Sequence, residues 1–113
     1  MHEVSIMQST LDLAERQARQ SGAQAIHSMR LRVGRLSGVV VEALRFAFDA
    51  LREDTMADGA TLEIEEVQPA CWCSTCKAEF EVSDYVYLCP RCNQPSGDLR
   101  RGREMNLVSL EIS

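Results

Sequence analysis

The sequence predicts a small α/β fold in which a three-stranded sheet is covered by two helices and a cysteine-rich insert precedes the last strand. Three observations carry this reading. Two stretches space apolar residues three and four apart, three stretches alternate apolar with polar residues, and four of the five cysteines fall in two C-x-x-C pairs.

The elements follow in order. Val4, Met7, Leu11, Ala14 and Ala18 line one face of a first helix, and Gly22 ends the pattern. Met29, Leu31 and Val33 alternate with Ser28, Arg30 and Arg32, which predicts a half-buried strand. Gly34 to Gly38 reads as a turn, with Ser37 as the N-cap of a second helix. That helix puts Val40, Leu44, Ala47, Phe48 and Leu51 on one face. Asp58-Gly59 is a turn signal. Leu62 and Ile64 alternate with Glu63 and Glu65 in a second strand, and Val108, Leu110 and Ile112 alternate with Ser109 and Glu111 in a third. Arg30 and Arg32 are placed to pair with Glu63 and Glu65 across the sheet, in exposed contacts worth about 0–1 kcal/mol each. The pattern does not fix the strand order.

Residues 69–104 form the insert, and residues 1–68 with 105–113 form the α/β unit around it. The insert is poor in aliphatic residues. Its aromatics, Trp72, Phe80, Tyr85 and Tyr87, suit a small cluster, and a segment of this size needs a staple.

Composition narrows the function classes. The chain has 113 residues, 45% hydrophobic and 26% charged, with a net charge of −5. An acidic balance argues against non-specific nucleic-acid binding. No apolar run is long enough to span a membrane. Met1 to Thr10 lacks the basic and apolar regions of a signal peptide, so a reducing cytoplasmic location is expected. Thiols in that compartment serve as metal ligands more often than as disulfides.

Cys73-Ser-Thr-Cys76 and Cys89-Pro-Arg-Cys92 are two knuckles separated by twelve residues. Facing each other across a hairpin, Cys73, Cys76, Cys89 and Cys92 complete a tetrahedral zinc site of the zinc-ribbon type. Four thiolates leave no open position, so the zinc is structural and its binding energy is folding energy for the insert. Iron and copper(I) are the soft-ligand alternatives. A redox C-x-x-C would need only one pair, at a helix N-terminus. Cys71 is left over, either as a free thiol near the ion or as an exchange partner for Cys73.

The chain starts Met1-His2-Glu3. An imidazole at position 2, the free α-amine of Met1 and the adjacent amides make a nitrogen-rich planar set suited to nickel(II) or copper(II), not zinc. The pattern alone does not separate such a site from an ordinary exposed His2 before a helix. Glu3 also reads simply as a carboxylate placed well at a helix N-terminus. His27 reads as a surface or core-edge residue. No nucleophile–base set, paired-carboxylate motif or phosphate-binding glycine loop is present, so the protein is not expected to be an enzyme.

Taken together, Met1-His2-Glu3, Val-Gly-Arg-Leu-Ser-Gly at 33–38, Phe46-Ala-Phe-Asp49, the paired C-x-x-C knuckles, Cys71-Trp-Cys73 and Leu107-Val-Ser-Leu-Glu-Ile112 resemble the HypA/HybF family of hydrogenase maturation factors over essentially the whole chain. The resemblance implies a nickel metallochaperone. Its partners would be the nickel-binding GTPase HypB and the [NiFe]-hydrogenase large subunit, with urease maturation proteins as partners of some members, and no nucleic acid or membrane. A monomer or weak homodimer is expected. Nickel ligation carries over to Met1 (amine), His2 (imidazole and amide) and Glu3 (amide, with its carboxylate as a further candidate), and zinc ligation to Cys73, Cys76, Cys89 and Cys92. Two departures stand out. Some members have a histidine beside each knuckle, linked to acid-responsive zinc ligation, where this chain has Lys77 and Asn93. Some have an acidic nickel-assisting residue early in the second helix, a position that Glu42 does not match. The alternative from another class is a zinc-ribbon adaptor with no transported metal. Its nucleic-acid form is disfavoured by an insert whose five basic residues (Lys77, Arg91, Arg100, Arg101, Arg103) balance five acidic ones (Glu79, Glu81, Asp84, Asp98, Glu104).

Overall fold

Helix α1 (His2–Gln20) buries Met7, Thr10, Leu11, Ala14 and Ala18, the expected stripe with one polar addition and with Val4 only half-buried against it. The Thr10 hydroxyl satisfies itself by donating to the Ile6 carbonyl at 2.8 Å. The computed structural model describes residues 2–113. The helix stops as its glycine dictates. Gly22 has φ 76°, Gly22 N–H donates to the Arg19 carbonyl at 3.0 Å, and Ala23 N–H reaches back to the Ala18 carbonyl at 2.9 Å. That pair of bonds is a Schellman motif, which uses up carbonyls the helix end would otherwise orphan.

Strand β1 (Ile26–Gly34) is the centre of the main sheet, whose order is β2-β1-β6. Helix α2 (Val41–Leu51) makes the crossover that lets β2 (Thr61–Val67) run parallel to β1, and β6 (Met105–Ile112) returns antiparallel on the other edge. The parallel register sets Arg30 opposite Glu63 and Arg32 opposite Glu65. Both expected ion pairs form, each at 3.1 Å, on the face away from the helices. The other face packs Ile26, Met29, Leu31 and Val33 against Met7, Leu11, Leu44 and Phe48. Large side chains such as these contribute roughly 1.5–3 kcal/mol each on full burial.

Three local expectations are corrected. In β6, Val108 does not face the core. The pairing steps from Arg30–Ser109 to Leu31–Leu107, leaving Val108 as the extra residue of a bulge, 40% exposed. The apolar set is therefore Met105, Leu107, Leu110 and Ile112, with its phase switched at the bulge. Ser37 is not the N-cap of α2. The cap position is Val40, which is extended and lacks a side-chain cap of its own, while the Ser37 hydroxyl accepts from Val39 N–H at 3.2 Å in a local turn. Val40 accordingly lies outside the helical stripe and is exposed.

The insert carries a second sheet, ordered β4-β3-β5, from β3 (Ala70–Cys73), β4 (Ala78–Glu81) and β5 (Leu99–Arg101). Its small core holds Cys71, Cys73, Phe80, Val82 and Cys89, with Tyr87 and Leu99 at the margin. Trp72 and Tyr85 do not join this core. Trp72 points the other way, under the Arg100 guanidinium at 4.9 Å, and Tyr85 is exposed.

At the end of β1, Gly34 N–H donates to the Glu104 carbonyl at 2.8 Å and Arg35 N–H to Val67 at 3.0 Å, extending the main sheet, while Leu36 N–H reaches the Gly102 carbonyl, next to β5 of the insert, at 2.7 Å. The chain crosses so closely here that a Cβ on Gly34 would overlap the Gly102 carbonyl, and Gly102 itself sits at φ 124°. Gly34→Ala should therefore lower stability by roughly 3 kcal/mol or more, or prevent folding, in denaturant titration. Gly97, where an added Cβ meets nothing within 4 Å, is the control, and Gly97→Ala should stay within about 0.5 kcal/mol.

Candidate metal centres

The first centre is built by β3, the β3–β4 turn and the loop after Leu88. Cys73, Cys76, Cys89 and Cys92 bring their sulfurs within 4.8 Å of one another. Two of the separations are 3.5 Å, between Cys73 and Cys92, and 3.9 Å, between Cys76 and Cys89. A tetrahedron with metal–sulfur bonds of about 2.3 Å has sulfur–sulfur edges of about 3.8 Å, so the four thiols fit one ion. The backbone supports them. Cys76 N–H points at the Cys73 sulfur at 3.4 Å, and the second knuckle closes through Asn93 N–H to the Cys89 carbonyl at 2.8 Å and Cys89 N–H to the Gln94 carbonyl at 2.9 Å.

The residue after each knuckle is left-handed, with Lys77 at φ 53° and Asn93 at φ 64°. Asparagine tolerates this conformation, and lysine pays for its Cβ. Both positions complete a turn. Cys71 lies outside the four-sulfur group. It is fully buried in the insert core, and burial, with the nearby Asp98 carboxylate, pushes its thiol pKa up. It is placed as a packing residue.

The sulfurs differ electrostatically. Backbone N–H groups of Cys92 and Arg91 favour the thiolate of Cys89, whose pKa is lowered to about 7. Cys76 is pushed up to about 12, chiefly by its hydrogen bond with the Cys92 sulfur. The cluster therefore holds protons at neutral pH that an arriving dication must displace.

The second candidate set is at the start of α1. Met1 lies outside the described residues. His2 is exposed and Glu3 is one-fifth exposed, with the His2 Nδ1 3.6 Å from the Glu3 carboxylate. That carboxylate also accepts from Val40 N–H at 3.2 Å. Val40 foremost, then the glutamate's own N–H and His2, hold the Glu3 carboxyl below the usual range. Glu3 thus gives α2, from a neighbouring helix, the capping bond that a capping-box glutamate gives within its own helix. Sequence reasoning missed this contact, because no local pattern links positions 3 and 40. The first amides of α1 have no intrahelical acceptor.

His27 is on the surface, paired with the Ser113 hydroxyl at 2.6 Å. The basic cluster of the insert is largely neutralised, Arg100 by Asp98 at 2.9 Å and Arg101 by Glu79 at 3.8 Å. No helix among the described residues is long and apolar enough to cross a membrane.

Proton competition at the sulfurs has a sign that can be checked. Cys76 must lose a proton to bind metal across the neutral range, and Cys89 must lose one only below about pH 7. Apparent zinc affinity should weaken as pH falls, and the slope of its logarithm against pH should rise by about one on passing below pH 7. Competition titration with a chromophoric chelator between pH 6 and 8.5 measures this. In the same assay, Lys77→Gly should retain metal at least as well as the unaltered chain, because glycine removes a left-handed penalty of about 1–2 kcal/mol.

Comparison with known proteins agrees with this geometry. The family model described as hydrogenase/urease nickel incorporation, metallochaperone, HypA, matches residues 1–112. Hydrogenase maturation factors HypA from Picosynechococcus and Chloroflexus aurantiacus are each 42% identical over 112 residues, covering 99% and 98% of both chains, respectively. The solution structure of the nickel metallochaperone HypA from Helicobacter pylori superposes with a TM-score of 0.67 at 25% identity, covering 97% of this chain and 96% of that one. A second HypA solution structure gives a TM-score of 0.71 at 27% identity, covering 100% and 97%. The chain belongs to the HypA family, whose members are nickel-incorporation metallochaperones of hydrogenase maturation and not enzymes.

Proposed function

We propose that this chain carries one nickel(II) ion on Met1, His2 and Glu3 and hands it to the [NiFe]-hydrogenase large subunit together with the nickel-binding GTPase HypB. Urease, named in the family description, is the second target class. In this reading residues 1–68 with 105–113 are the nickel-binding unit and 69–104 the zinc-binding unit. Two sheets with separate cores support that division. The protein works in the cytoplasm, where free thiols persist.

The observation that carries the proposal is the position of His2 and Glu3 at the open end of α1. A planar nickel(II) set needs consecutive backbone nitrogens on one side of the chain. Helical ψ, near −42°, turns successive nitrogens toward the same side, whereas an extended chain points them apart. The amides concerned are those a helix leaves without acceptors. The exposed His2 imidazole is the next donor, and a docking protein can reach it. The Glu3 carboxylate is already bonded to Val40 N–H, which favours its amide over its carboxylate as the ligand atom. Protonation of the amides, or competing donors from the partner, would free the ion.

Zinc is the proposed occupant of the thiolate site. Four sulfurs in a closed tetrahedron suit it and leave no position for cargo or substrate. Its work is to hold the insert in shape.

The test is calorimetric nickel titration of the untagged, zinc-loaded protein beside His2→Ala, with zinc content measured before and after. The expected result is one nickel per chain, lost or weakened at least a hundredfold in the variant, with zinc unchanged. Equal nickel binding by both proteins would sink the N-terminal assignment.

A further inference from the structure

One turn of the insert, from Ser83 to Val86, is built against ordinary turn chemistry. Asp84 and Tyr85 have φ values of 52° and 60°, and Val86 N–H donates to the Ser83 carbonyl at 3.0 Å. Both central residues of this tight turn are thus left-handed, as in the type I′ turn, where Asn-Gly or Asp-Gly is the normal pair. A bulky residue there costs about 1–2 kcal/mol. Burial does not recover that cost, because Tyr85 is 79% exposed.

Tyr85 forms one wall of an open groove of about 500 Å³ whose other walls come from the α/β unit. They are Arg35 after β1, Val39, Val40 and Glu42 around the start of α2, and Glu66 near the end of β2. Val40 is 56% exposed, and its N–H holds the Glu3 carboxylate. The groove therefore lies one hydrogen bond from the start of α1. Among the described residues, Arg35, Glu42 and Glu66 make no ion pair. Two carboxylates against one guanidinium leave the groove acidic.

We infer that this groove docks a segment of the GTPase that carries an apolar side chain next to a lysine or arginine. The apolar group lies on Val40 and Tyr85, and the cation sits between Glu42 and Glu66. The inference rests on the carrier reading above and names the face that the partner uses. Charge complementarity selects the occupant. A second copy of this chain, at net charge −5, would bring like charge to an acidic groove, whereas a basic segment is steered into it. An exposed tyrosine fixed by a tight turn is a low-entropy anchor of the kind that dominates interfaces. The groove's place one hydrogen bond from Glu3, at the start of α1, sets a docked protein within reach of the proposed cargo.

Tyr85→Gly separates docking from folding. Glycine adopts the left-handed turn without penalty, so the melting temperature should hold or rise. Loss of the anchor should weaken binding of the full-length, zinc-loaded chain to purified GTPase at least tenfold by biolayer interferometry. Glu42→Gln with Glu66→Gln should slow association and flatten its salt dependence, with nickel stoichiometry unchanged. GTPase binding within twofold of the unaltered chain in both variants, with nickel binding intact, overturns the inference alone. An unaltered chain that binds neither nickel nor the GTPase overturns the carrier reading and the inference with it. Sedimentation that finds a dimer dissociated by Tyr85→Gly would give the groove to a second copy and also overturn the inference.

Discussion

Gly34 ends β1 at a point where the chain leaving the insert passes directly over it. Neither Gly34 nor Gly102 has room for a side chain, and the backbone bonds from residues 34–36 to Val67, Gly102 and Glu104 close only because both positions are bare. The two sheets meet through this junction. The same segment, continued to Val40, receives the Glu3 carboxylate. The stretch from Gly34 to Val40 therefore touches the insert at one end and the start of α1 at the other, and the groove beneath Tyr85 is its outer surface. The rest of the molecule depends on that crossing, because it sets where the thiolate cluster stands relative to the start of α1.

The two donor sets have opposite chemistry, which is what a protein handling two different ions needs. Four thiolates in a closed tetrahedron select a soft or borderline ion and hold it without an exchange position. The proposed nickel set, an amine, an imidazole and amides beside the exposed His2, would select by planar nitrogen geometry and stay open to another protein. The helix end has a further electrostatic consequence. Its partial positive charge opposes a bare cation, but amide deprotonation makes the ligand set anionic and offsets that. Protonation reverses the offset, so the proposed site holds its ion tightly only while the amides stay ionised.

Much of the fold is legible in the residues, and the failures have physical causes. The α1 stripe and the β1 alternation are periodic over many residues, and Gly22 marks a stop that the Schellman bonds realise. The Arg30–Glu63 and Arg32–Glu65 pairs could be foreseen because opposite charges alternate in phase on two strands. The grouping of the four cysteines is legible because knuckle spacing is a local property. Val108 misleads because a bulge inserts one residue into the period, and an alternating pattern has no mark for where its phase changes. Ser37 misleads because a capping residue is recognised by type, while the carboxylate that in fact bonds at the cap, Glu3, comes from a different helix. The strain at Lys77 and Tyr85 is invisible for a related reason: a left-handed backbone at a non-glycine residue contradicts the propensity that sequence reading relies on.

Two metal sites of different chemistry operating independently on one chain would leave separate spectroscopic signatures. X-ray absorption at the zinc and nickel edges of the same doubly loaded sample tests that independence most directly. The expected result is a zinc edge with four sulfurs at about 2.3 Å, and a nickel edge of planar character with nitrogen neighbours and no sulfur. Sulfur in the nickel shell, or a zinc shell that loses sulfur when nickel is added, would mean that both ions compete for the cysteines and would contradict that independence.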